Sequence, residues 1–284
     1  RRVQALSGAD DGHVRLWDLH RTVCNETLRG HKGGVWCLAA DWQRRRAISG
    51  SGDRTLQLWD LARARSLGTL AGHEGSVLCV TADWGAGRAV SGSTDTCLRV
   101  WDLGETGHDS GAACLKSIRG HESAVCCVAA DWKAAFVLSG SSDCSLKLWD
   151  VHGFGCVRVL RGHDGAVLCS AADGELHRAI SGSGDGGLRL WDLRSGESSA
   201  VLLGHRGPVH CLAVDYVFRR AISGSADGTL RLWDLEVPRE LARLQVCVEE
   251  LGEVLSVAVD WAGPSALCGC SDGALALADF ERAE

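Results

Sequence analysis

Short apolar runs recur along the chain, packed too closely for helices. VWCLAADW (35–42) is followed by RAISGS (46–51), TLQLWDL (55–61) and SLGTL (66–70). Each run has the length of a strand and is rich in Val, Ile, Leu or Trp, and clusters of Gly, Asp and Ser separate one from the next. No segment sustains the apolar stripe at i, i+3, i+4 and i+7 that an amphipathic helix requires. The four-run unit returns about every 42 residues. The pattern predicts an all-β chain built from repeated four-stranded antiparallel sheets.

Two dipeptides set the register of the repeat. Trp-Asp stands at 17–18, 59–60, 101–102, 149–150, 191–192 and 233–234, and Gly-His at 30–31, 72–73, 120–121, 162–163 and 204–205. The His-to-Trp distance is 28 residues in all five complete copies, and the Trp-to-His distance is 14 except for 20 after Trp101. Insertions therefore fall in one segment of the unit. A further, eroded copy has Glu249-Glu250 for Gly-His and Ala278-Asp279 for Trp-Asp, again 28 apart.

These signatures resemble the WD40 repeat family over essentially the whole chain. The resemblance implies a single seven-bladed β-propeller over residues 1–284, with blades at about 1–29, 30–71, 72–119, 120–161, 162–203, 204–248 and 249–284. In that family one sequence repeat supplies the outer strand of one blade and the three inner strands of the next. On that count residues 1–8 begin with a second strand, and the chain stops after the third strand of blade 7. The expectation is a ring incomplete at the blade 1/blade 7 seam. The absence of Met likewise predicts a piece of a longer chain.

A Ser/His/Asp set invites a catalytic reading. His31, Ser49, Asp53 and Trp59 recur as His73/Ser91/Asp95/Trp101, His121/Ser139/Asp143/Trp149, His163/Ser181/Asp185/Trp191 and His205/Ser223/Asp227/Trp233. The resemblance implies a structural tetrad in which Asp holds His, His holds Ser and Ser reaches the indole nitrogen. Buried polar groups need such partners, and five identical catalytic centres have no evident purpose. The first copy keeps Ser7, Asp11 and Trp17; the last keeps Asp272 but has Cys268, Glu250 and Ala278 in the other slots. A non-enzyme is expected.

Other motifs dissolve into the repeat. Gly182-Ser183-Gly184-Asp185-Gly186-Gly187 satisfies G-x-G-x-x-G, but it joins two predicted strands, whereas a dinucleotide loop must open a helix. No cofactor is expected. Asp41, Asp83, Asp173 and Asp215 each precede an Arg by five residues (Arg46, Arg88, Arg178, Arg220), a spacing that predicts Asp–Arg pairing across a hairpin. Trp42, Trp84, Trp132 and Trp261 follow or accompany such Asp residues as volume fillers. Trp191-Asp192-Leu193-Arg194 resembles the box by which substrate receptors dock a cullin-type ubiquitin-ligase adaptor, with Arg194 its distinguishing residue.

Composition narrows the partners. A net charge of −6 argues against a nucleic-acid surface, and no run of 18 apolar residues spans a membrane. The Cys at 37, 79, 127, 169 and 211 share one repeat slot, as buried small hydrophobes do; a reducing, cytoplasmic setting is expected, without excluding the nucleus. What is left is a scaffold that presents proteins or peptides on the propeller rim and channel mouth. The residue after the first Val of each inner strand faces that mouth: Trp36, Leu78, Cys126, Leu168, His210 and Leu255. Trp36, with Pro208 and His210, is the expected anchor, since interface hot spots favour large aromatics.

Overall fold

The computed structural model describes residues 4–104, 113–247, 252–261 and 265–280. Every regular element in them is a β-strand, and no helix among them is long and apolar enough to cross a membrane. The strands form seven antiparallel sheets, each a meander in chain order. The first holds β1 (Gln4–Gly8), β2 (Val14–Asp18) and β3 (Val23–Leu28). The second holds β4 (Val35–Asp41), β5 (Arg46–Ser51), β6 (Thr55–Asp60) and β7 (Arg65–Ala71). The third runs β8 (Val77–Asp83), β9 (Arg88–Ser93), β10 (Cys97–Asp102), β11 (Ala113–Arg119), and the fourth β12 (Val125–Asp131), β13 (Phe136–Ser141), β14 (Ser145–Asp150), β15 (Cys156–Arg161). The fifth is β16 (Val167–Asp173), β17 (Arg178–Ser183), β18 (Leu188–Asp192), β19 (Ser198–Leu202), and the sixth β20 (Val209–Asp215), β21 (Arg220–Ser225), β22 (Thr229–Asp234), β23 (Arg239–Gln245). The last holds β24 (Val254–Asp260), β25 (Ser265–Cys270) and β26 (Leu275–Asp279). This is the seven-bladed β-propeller class, with five four-stranded and two three-stranded blades among the described residues. The chain divides into two compact units, Arg1–Val128 and Ala129–Glu284, with the division inside β12.

Within each unit, burial explains the composition. The second strands (Arg-Ala-Ile-Ser-Gly-Ser in β5, β17 and β21) are buried on both faces almost throughout. Their small residues let the next sheet approach. A Cβ added at Gly50 would stand 2.7 Å from Val77 Cγ1, and one at Gly182 2.6 Å from Val209 Cγ1. Real Cβ atoms do not come that close, so Gly is required by the sheet spacing. The outer strands are mostly solvated, and most carry one buried apolar anchor, such as Leu28, Leu70, Leu160 or Leu202. Leu and Trp of the third strands complete the core: Trp59 packs with Val14, Leu28 and Val35, and Trp233 with Ile180, Leu188 and Val209.

Candidate functional site

The polar set forms as a continuous chain. Indole nitrogen can only donate, and Trp59 Nε1–H donates to Ser49 Oγ at 2.8 Å. Ser49 then donates to His31 Nε2 (2.7 Å), which leaves Nδ1–H for Asp53 Oδ2 (2.9 Å). Asp53 is a hub: it also accepts the Lys32 N–H at 2.8 Å, the Thr55 N–H at 2.9 Å and the Thr55 hydroxyl at 2.6 Å. The same bonds join Trp101, Ser91, His73 and Asp95, Trp191, Ser181, His163 and Asp185, and Trp233, Ser223, His205 and Asp227. Trp149 Nε1 donates to Ser139 Oγ at 2.8 Å; Asp143 accepts the N–H and hydroxyl of Ser145, and His121 is buried.

Charge follows from burial. Burial lowers the imidazole pKa of His73, His163 and His205, outweighing the raising effect of Asp95, Asp185 and Asp227. Burial pushes the Asp53 carboxyl up, but bonds from Thr55, Lys32 and His31 win and hold it at about 2. Asp227 is held at about 2 in the same way, with Thr229 and Arg206 as donors. The imidazoles of His73, His163 and His205 are therefore neutral at pH 7 against ionised aspartates. Ser49, Ser91, Ser139, Ser181 and Ser223 have no exposed surface, and each Oγ is capped by an indole N–H.

The first and last sheets depart from this pattern. Trp17 Nε1 still donates to Ser7 Oγ at 2.8 Å, while Asp11 pairs with Arg15 and lies 3.2 Å from His13 Nδ1. In the last sheet Cys268 Sγ donates to Ala276 O (3.3 Å) and Cys247 Sγ lies 3.0 Å from Cys270 Sγ. Glu249 and Glu250 lie outside the described residues.

The slot after the first Val is a β-bulge. On β4, Val35 opposes Ser51 and Cys37 opposes Gly50, so Trp36 is the extra residue. Leu78, Leu168, His210 and Leu255 are extra in the same way on β8, β16, β20 and β24. A bulge re-aims its side chain, a device the apolar pattern does not reveal. Trp36 is 53% exposed. Its ring lies over glycine backbone: a Cβ at Gly52 would meet Nε1 at 3.1 Å, and one at Gly34 would meet Cζ2 at 3.4 Å. Leu255 is also exposed, whereas Leu78, Cys126, Leu168 and Pro208 are half-buried. His210 Nε2 lies 3.2 Å from Glu253 Oε2. The distance suits an ion pair, but that nitrogen has no hydrogen-bond alignment. Trp36 belongs to the first compact unit, and Pro208 and His210 to the second.

The hairpin aspartates behave differently from the expected pairing. Asp41 does face Arg46 across β4 and β5, and Asp173 faces Arg178 across β16 and β17. The carboxylates turn instead to their own turns: Asp41 accepts from Gln43 and Arg44 N–H and from the Arg44 guanidinium, Asp83 from the N–H groups of Gly85 and Ala86, and Asp215 from those of Val217 and Phe218. Two or three local amides satisfy a carboxylate more cheaply than ordering an exposed Arg does. Trp84 and Trp261 pack on the cores beside them, while Trp42 is exposed.

The glycine run covers the last two residues of β17 and the turn into β18, with Gly186 in the left-handed region (φ 81°), so no helix N-terminus is there to hold phosphate. None of the fourteen cysteines is in a disulfide. The repeated Cys slot points its thiol at the next sheet: Cys169 Sγ lies 3.5 Å from Val209 O, and Cys79 Sγ 3.7 Å from Val125 O. Burial pushes the Cys37 thiol up to about 12, which makes it unreactive. Arg194 is exposed on the turn after β18, where Asp192 Oδ1 accepts its N–H at 2.7 Å.

The family model for the WD domain, G-beta repeat, matches residues 22–60, 64–102, 112–150, 154–192 and 196–234. No curated protein matches the sequence. Among solved structures, the chain is similar to the computationally designed Ika8 protein, known from its crystal structure. The two are 26% identical with a TM-score of 0.77, over 99% of this chain and 81% of that one. With most of its length matched repeat by repeat, the chain belongs to the WD40 family.

Proposed function

We propose that this chain is a non-catalytic interaction module, offering protein or peptide partners the sheet ends where the Gly-His loops meet the Asp turns, with Trp36 as anchor. The observation that carries this reading is the state of Trp36. It is 53% exposed, raised on a bulge, laid over Gly34 and Gly52, and its indole N–H has no acceptor among the described residues. Such a ring offers a partner both apolar area and a hydrogen bond. Leu78 sits at the equivalent end of the third sheet, in the same unit, and supplies a smaller contact; Leu168, His210 and Pro208 hold the corresponding positions within the second unit. The tetrads hold the sheets together: a Ser hydroxyl buried beneath an indole cannot meet a substrate. The net charge of −6 favours protein partners over nucleic acid. Membership of a family of interaction scaffolds agrees with this reading. The finer alternative, a ubiquitin-ligase substrate receptor docking through Arg194, has that exposed residue as its support and is tested by pull-down with the ligase adaptor.

The test is a selection of displayed random peptides on the full chain, followed by competition with the Trp36→Leu protein. Peptides recovered on the native chain should lose about 30-fold or more in affinity, the equivalent of the 2 kcal/mol hot-spot threshold. Peptides that bind both proteins equally would contradict the reading.

A further inference from the structure

The opposite ends of the fifth and sixth sheets carry a second, unassigned site. A cavity of about 540 Å³ opens there, between the turns after β16 and β18 and those after β20 and β22. Its floor is apolar (Ile180, Leu190, Trp191) and its walls hold Arg178, Arg194 and Arg219 together with Glu175, Asp192 and Glu236. All three acids are already engaged. Glu175 pairs with Lys133, Glu236 pairs with Arg219 at 2.7 Å, and Asp192 accepts the N–H groups of Arg194 and Ser195. The guanidinium groups of Arg178 and Arg194 have no such partner among the described residues. Tyr216 lines the same cavity, and its hydroxyl is buried without a hydrogen-bond partner. Buried polar groups are rarely left so, and here the missing partner has a place to sit.

The frame around the cavity is rigid. Leu193 N–H donates to His177 O and Leu235 N–H to Arg219 O, each at 2.8 Å, which ties neighbouring turns together. Asp215 and Asp234 cap their own turns through backbone N–H groups. A preorganised rim lowers the cost of binding. Beside the cations the turns expose Leu176, Val217, Phe218 and Val237. The corresponding turns of the second and third sheets read Gln43-Arg44-Arg45 and Gly85-Ala86-Gly87, without the Leu, Val and Phe found here.

We propose that this cavity binds an acidic segment of a partner protein, seating one Asp or Glu carboxylate on Arg178 and Arg194, with Tyr216 O–H as a further donor and flanking apolar residues on Leu176 and Phe218. Arg forks match a carboxylate bidentately. Three arginines line the cavity with Glu175, Asp192 and Glu236, and Asp173 stands opposite Arg178 on the paired strand; a wall so nearly balanced suits one carboxylate better than a doubly charged phosphate. The site shares no residue with the Trp36 surface and does not depend on that residue's role.

The experiment compares two displayed peptide libraries on the full chain, one with a fixed central Glu between randomised positions and the other with Gln there. The Glu library should enrich at least ten-fold over the Gln library. Its binders should lose at least ten-fold in affinity for the Arg178→Gln/Arg194→Gln protein and several-fold for Tyr216→Phe, a change too small to threaten folding. Trp36→Leu should leave them unaffected. Equal enrichment of the two libraries, or binders indifferent to both cavity variants, would overturn the proposal. So would a phosphoserine library that outcompetes the Glu library.

Discussion

At the scale of single residues, the repeated Ser and Gly do different work in the same strand. In β17, Ser181 is the middle of a donor chain, and its loss leaves the Trp191 N–H and His163 Nε2 buried without partners. Ser181→Ala should cost about 1–3 kcal/mol, the penalty for orphaned buried groups, measured by urea unfolding. Gly182, its neighbour, is a contact surface. A Cβ there would stand 2.6 Å from Val209 Cγ1 and 2.7 Å from Cys169 Sγ. Gly182→Ala should therefore also destabilise, by about 1–3 kcal/mol, through overpacking. A neutral Gly182→Ala protein would show that the sheets have room to separate.

At the scale of the element, the inner strand is where sequence reading and structure part. The strands, their order and the Ser/His/Asp/Trp spacing were legible because each repeat states them again in the same register. The bulge was not. Apolar alternation across Val35-Trp36-Cys37 looks regular, and the irregularity exists only in how the partner strand pairs, Ser51 to Val35 and Gly50 to Cys37. The Asp–Arg spacing was legible and misleading: the residues do oppose each other, but backbone amides of the turn reach the carboxylate first. The cavity at the far end of the fifth and sixth sheets was likewise invisible, because Arg178, Arg194 and Tyr216 come from three different turns or strand ends. For the bulge itself, Leu78, Leu168 and Leu255 occupy the slot that Trp36 occupies on β4. Trp36→Leu should accordingly leave the melting temperature within about 2 °C of native, on the order of the ±0.5 kcal/mol of ordinary surface substitutions.

At the scale of the whole molecule, the repeated histidines couple folding to pH. Burial lowers the pKa of His73, His163 and His205 in the folded chain, and unfolding returns each to about 6.5. In the acid range the unfolded chain binds protons first, so stability is full above pH 6.5 and falls as pH drops from 6.5 towards the lowered folded values. Asp53, Asp95, Asp185 and Asp227, held below their ordinary 3.8, add a second loss of the same sign only below about pH 4. Melting temperatures taken from pH 7.5 to 5 should decline; a flat or rising profile would mean that the imidazoles are charged in the fold.

The division of labour between buried tetrad and exposed bulge is tested most directly by one paired measurement, melting temperature and peptide affinity for Ser181→Ala and Trp36→Leu side by side. The expected result is a crossed pattern. Ser181→Ala melts lower by several degrees, about what 1–3 kcal/mol gives in a chain of this size, and its folded fraction binds with native affinity. Trp36→Leu melts as the native chain does and binds about 30-fold more weakly. A Trp36→Leu protein that melts early yet binds normally, together with a Ser181→Ala protein of native stability, would contradict the account.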